Sequence, residues 1–107
     1  MKMTLSAIAF ALLLTGFSET HAQGQPATIF GNFDCGRWFK APDAKTWLLG
    51  FLSGVSAMTP AHIGDPLSKL GSVDQAYLWM DNYCRKNPLN SIDRGAAALM
   101  LELKAKR

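Results

Sequence analysis

Apolar residues along the chain recur at helical intervals. Trp47, Leu48, Phe51, Leu52, Val55 and Met58 form the longest such stripe, which predicts an amphipathic helix. Asp43 stands before it as the expected N-cap, its carboxylate able to accept an orphan backbone N–H. Thr59-Pro60 ends it. Asp65-Pro66-Leu67-Ser68-Lys69-Leu70-Gly71 combines a cap, a proline at the first helical position and a glycine past the end, the composition of a one-turn helix. Ser72 followed by Gln75 is a capping box. The helix it opens carries Val73, Tyr77, Met80 and Cys84 on one stripe, and Pro88 stops it. Ile92, Ala96, Leu99 and Leu103 mark a last helix, with Ala97, Ala98 and Met100 widening its apolar face. Upstream, Cys35, Trp38 and Phe39 are spaced for a short helical turn that Ala41-Pro42-Asp43 interrupts. No segment alternates with the period of two that a half-buried strand needs. The pattern predicts a small all-α bundle of three main helices plus one or two short ones, over residues 33–107.

The two ends change that picture. Lys2 precedes a 13-residue apolar run from Leu5 to Phe17, followed by Thr20-His21-Ala22. A positive start, a short hydrophobic core and small residues at the cut are the parts of a secretory signal. The run falls short of the roughly 20 residues that span a bilayer. Residues 1–22 are therefore expected to be removed after Ala22, leaving a periplasmic protein of about 85 residues. Residues 23–32 are polar, contain Gly and Pro, and read as a flexible N-terminal arm.

Cleavage removes one basic and one acidic residue, so the net charge stays at +3. The basic clusters, Arg85-Lys86 and Lys104-x-Lys106-Arg107, are short, and the second suits a helix C-terminus. Nucleic acid is not an expected partner. Two cysteines, Cys35 and Cys84, allow one intramolecular bridge in an oxidising compartment. A reactive thiol pair and a metal site are the alternatives. Neither has a Cys-x-x-Cys to support it, and only His62 remains after cleavage. A bridge across this separation would add about 4 kcal/mol on the chain-entropy model.

Enzyme signatures fail. Serine nucleophiles need a base within reach, and His62 lies in the loop between Pro60 and Pro66. In Gly50-Phe51-Leu52-Ser53-Gly54 the serine is one position late for a nucleophile elbow and sits in a helix. No phosphate loop, metal-ligand cluster or carboxylate pair is visible, so no catalytic, metal or cofactor residue is expected. Gly50 and Gly54, four apart inside a helix, cost about 1 kcal/mol each and suggest that another backbone packs closely there. Three tryptophans are many for so small a chain, and Trp is enriched in binding hot spots. Trp38, Trp47, Phe51 and Trp79 are the candidate protein-binding residues. Trp79 stands foremost, off the main stripe of its helix, with Asp81-Asn82 read as an exposed polar face.

The segment Asn82-Tyr83-Cys84-Arg85-Lys86-Asn87-Pro88 resembles the second-cysteine motif of the HdeA/HdeB family of small periplasmic acid-stress chaperones. Asp34-Cys35-Gly36-Arg37-Trp38-Phe39 is similar to that family's first-cysteine motif. Gly50, Gly54, Pro88 and Ala96-Ala97-Ala98 match the outline of the small periplasmic immunity proteins of type VI secretion systems, the Tai-like group. The resemblance spans residues 35–103. It implies an all-α bundle with a Cys35–Cys84 disulfide and a protein that binds other proteins. Those partners are unfolding clients, if it is a holdase, or one toxin, if it is an immunity protein. A homodimer is compatible with either, and stable membrane insertion with neither. Below pH 3 the seven mature carboxylates would be largely protonated and the net charge would rise to about +10. Self-repulsion would then loosen a small bundle.

Overall fold

A computed structural model describes residues 27–106. The expected signal segment, residues 23–26 of the expected arm, and Arg107 lie outside the described residues. The chain runs through helix α1 (Cys35–Trp38), helix α2 (Pro42–Ala57), a 3-10 turn (Pro66–Lys69), helix α3 (Val73–Lys86) and helix α4 (Ile92–Ala105). No strand occurs among the described residues, and the all-α bundle of three main and two short helices stands.

Local side-chain caps satisfy free N–H groups at the start of α1, the 3-10 turn and α3. Asp34 accepts from Arg37 N at 2.8 Å to open α1. Asp65 accepts from Leu67 N at 3.0 Å to open the 3-10 turn, with Pro66 at its first position. Ser72 accepts from Gln75 N at 3.3 Å to open α3. The reciprocal arm of that box reaches one residue further back, Gln75 Oε1 accepting from Gly71 N at 2.9 Å. The start of α2 departs from expectation. Ala41 is its N-cap and Asp43 lies inside the first turn. Pro42 takes the first helical position because its fixed φ suits it, which moves the start two residues upstream of an aspartate cap. Asp43 still complements the positive end of the helix dipole. At the other end of α3, Asn87 donates to Tyr83 O through both its backbone and its side chain, at 2.8 and 3.0 Å, immediately before Pro88.

Helix α4 is the centre of the domain and packs on α2, α3 and the 3-10 turn. Ile92, Ala96, Leu99 and Leu103 are all buried, as their spacing predicts. Met100 joins them, whereas Ala97 is exposed. Leu48 and Leu52 of α2 and Met80 of α3 are buried beside them. Each of the Ile, Leu and Met side chains among them contributes about 1.5–3 kcal/mol through burial. On α3 the buried positions are Ala76, Met80 and Cys84, while Val73 is 47 % exposed. Val73 is the first residue of its helix.

A disulfide joins Cys35 to Cys84 with the Cα atoms 5.1 Å apart, fixing α1 to the end of α3. A second tie lies beside it. Cys35 N donates to Asn90 O and Ile92 N to Phe33 O, both at 2.8 Å. These bonds clamp the entry to α1 against the entry to α4.

Gly50 and Gly54 do not meet another backbone. A Cβ at either position would find nothing within 4 Å. The close approach occurs at Gly95 on α4, where a Cβ would lie 2.6 Å from Met80 Sδ and 2.8 Å from Tyr83 Cδ1.

Candidate protein-binding surface

The four aromatic candidates fall in three different places. Trp38 is 2 % exposed and belongs to the core. Its indole N–H donates to Asp81 Oδ1 at 2.7 Å, and its ring lies 6.4 Å from that of Tyr77. A buried indole needs an acceptor, and Asp81 supplies it. Asp81 therefore turns toward α1, so that of the expected Asp81-Asn82 polar face only Asn82 is exposed, and Trp38 presents no binding surface.

Trp47 and Phe51 are brought together. They are one helical turn apart on α2, half-buried, with rings stacked at 5.0 Å and 18°. Trp47 Nε1 donates to Phe30 O at 2.8 Å. Gly31 crosses the indole with φ +71°, where an added Cβ would come within 3.3 Å of the ring. A left-handed backbone in contact with a ring favours glycine at this point. The segment carrying Phe30 is held at its other side by Asn32. Its side-chain amide donates to Asp93 Oδ1 at 2.7 Å, and its Oδ1 accepts from Asp93 N at 3.2 Å. Burial raises the Asp93 pKa, but hydrogen bonds from Ser91, Asn32 and the Arg94 backbone, together with the Arg94 charge, outweigh it and leave the carboxyl below its usual range. The end of the expected arm is thus tied to the helices.

These tethers place Phe30, 85 % exposed, beside Trp47 and Phe51. Thr28, Ile29, Phe30, Trp47, Gly50 and Phe51 line a hollow of about 380 Å³. A second hollow of about 550 Å³ continues along α2 past Gly54, Val55 and Met58 to Ile63. Gly50 and Phe51 line both, so the two form one trough. The glycines keep its floor open. Met58 is 83 % exposed, and Val55 and Ile63 are also exposed. Lys104 of α4 is the one charged residue among its lining. Contiguous apolar surface of this kind marks interaction sites. Phe30 and Ile63 were not among the residues singled out from sequence. Each lies outside a helix, where periodicity gives no signal.

Trp79 stands apart from the trough. Its ring stacks on Tyr83 at 5.4 Å and 14°, and its N–H donates to Glu102 Oε1 at 3.1 Å. With Asn82, Lys86 and Asn87 it lines a small polar cleft between α3 and α4. Among the described residues no helix is long and apolar enough to cross a membrane, and no cluster of His, Cys, Asp or Glu could hold a metal ion.

Comparison with protein-family models, with characterised proteins and with solved structures finds no match to this chain. What stands is a class: a small, disulfide-bridged, all-α domain with an open apolar trough along one helix.

Proposed function

We propose that this protein acts by binding other proteins, holding apolar segments of unfolding clients in the α2 trough as an exported, periplasmic holdase of the kind its cysteine motifs resemble. No catalytic step and no cofactor enter this reading. The observation that carries it is the trough itself, apolar from Phe30 to Ile63 and lined by a single charge, Lys104. A surface with few polar groups, here Thr28, Thr59 and Lys104, discriminates poorly among apolar partners, because polar contacts are what set orientation and specificity. Met58, an unbranched and adaptable side chain, adds to that tolerance. Acid would extend the surface. Rising positive charge loosens the bundle, while the Cys35–Cys84 bridge keeps the chain compact.

A second reading, a specific neutral-pH partner such as a toxin, is favoured by the Trp79 cleft. There a stacked aromatic pair is surrounded by Asn82, Lys86, Asn87 and Glu102, the mixture typical of a selective interface. Aggregation of a model client, followed with the oxidised protein at pH 7 and pH 2.5, separates the two. The holdase reading expects protection that strengthens at pH 2.5. Absence of protection at both values rejects it and leaves the Trp79 cleft as the surface to pursue.

A further inference from the structure

The other flank of α2 carries a separate concavity, and nothing in the trough's proposed role uses it. Residues 49, 52 and 53 lie on the side of the helix turned away from Gly50, Gly54 and Met58, as 3.6 residues per turn requires. There α2, the 3-10 turn and the start of α3 line a half-open cavity of about 330 Å³. Leu52 and Ala76 are buried and form its floor. Half-buried Leu49, Leu67 and Leu70 form its walls. Exposed Ser53, Ser72 and Val73 form its mouth.

The lining fixes the chemistry of a ligand. No residue of it is charged, and none is aromatic. Floor and walls offer only aliphatic carbon, so nothing inside could pair with a polar group, and burying such a group unpaired is costly. Hydroxyls occur only at the mouth. The volume lies at the lower end of the roughly 300–1,000 Å³ usual for small-molecule sites. We infer that this cavity takes the end of an unbranched aliphatic chain, with the polar head of the amphiphile left at the Ser53–Ser72 mouth. The aliphatic chain is common to free fatty acids and to membrane phospholipids. The exposure of Val73 at the N-terminus of α3, unexpected from its place on the helical stripe, is explained by the same opening.

The test is calorimetric titration of the oxidised protein with hexanoate, octanoate, decanoate and dodecanoate below their micelle concentrations. Each buried methylene is worth about 0.8 kcal/mol, which is about a fourfold gain in affinity per CH2. The expected result is saturable one-to-one binding that tightens by that factor along the series and levels off once the cavity is full. Ser53→Trp, at an exposed helical position, closes the mouth and should abolish binding with helix content unchanged. Met58→Arg, in the trough, should leave binding intact. Native mass spectrometry after incubation with phosphatidylglycerol vesicles then assigns the source: retained phospholipid points to membrane lipid, and retention of added fatty acid alone points to the free acid. No saturable binding, no dependence on chain length, or a loss in Met58→Arg with none in Ser53→Trp would overturn the inference. None of these results depends on client protection.

Discussion

Asn32 and Asp93, 61 positions apart, form a two-way hydrogen-bonded pair, amide to carboxylate at 2.7 Å and backbone N–H to amide oxygen at 3.2 Å. Ser91 also donates to the same carboxylate oxygen. Since these bonds hold the Asp93 pKa down, their stabilisation is fully present above the ordinary aspartate pKa and is lost as pH falls through the lower folded value. Asp93→Asn should cost about 1–2 kcal/mol at pH 7, a figure reduced for partial solvent access. Urea denaturation across pH should show the gap between native protein and variant constant above about pH 5 and shrinking below the usual carboxylate range. A gap that widens in acid would contradict the assignment.

Glycine positions separate open from closed helix faces. Gly95→Ala forces a methyl against Met80 and Tyr83 and should destabilise by about 1–3 kcal/mol. Gly50→Ala and Gly54→Ala meet open space and should each stabilise α2 by about 0.4–1 kcal/mol. Thermal melts of the three variants check both signs.

Reducing the Cys35–Cys84 bridge frees a 49-residue separation. The chain-entropy model puts the loss at about 4 kcal/mol, a large share of the roughly 5–15 kcal/mol that holds a small domain folded. Denaturation with and without reductant should show that loss as a lower midpoint.

Trp38→Phe strips Asp81 of its indole donor and should cost about 1–3 kcal/mol. Trp79→Phe loses a donor to exposed Glu102 and should cost less than about 1 kcal/mol. Equal losses would mean that the two indoles share one environment.

The same residues show what the sequence could and could not disclose. Local signals were legible: the Ile92–Leu103 stripe, the Asp65-Pro66 start of the 3-10 turn and the Ser72 cap each depend on neighbours a few positions away, and each appears as read. The face of α2 was not legible. Leu48 and Val55, seven positions apart, share one face of the helix, yet Leu48 enters the core with Leu52 while Val55, near the C-terminal end, stays outside with Met58. Periodicity is identical for both sets. Which glycine of the main helices meets a large side chain depends on partners across the bundle, and so Gly95, not Gly50 or Gly54, is the contact. The buried Trp38 finds its acceptor in Asp81, 43 positions away, and the trough owes its upper rim to the Asn32–Asp93 pair.

Client aggregation at pH 2.5 in the presence of Met58→Arg or Leu89→Arg tests the central proposal most directly. The two substitutions add the same charge at exposed apolar positions, one in the trough and one outside it, where Leu89 is 96 % exposed. The proposal predicts that Leu89→Arg protects like the native protein and that Met58→Arg loses protection while keeping its helix content. Equal protection by both variants would contradict a client site in the α2 trough.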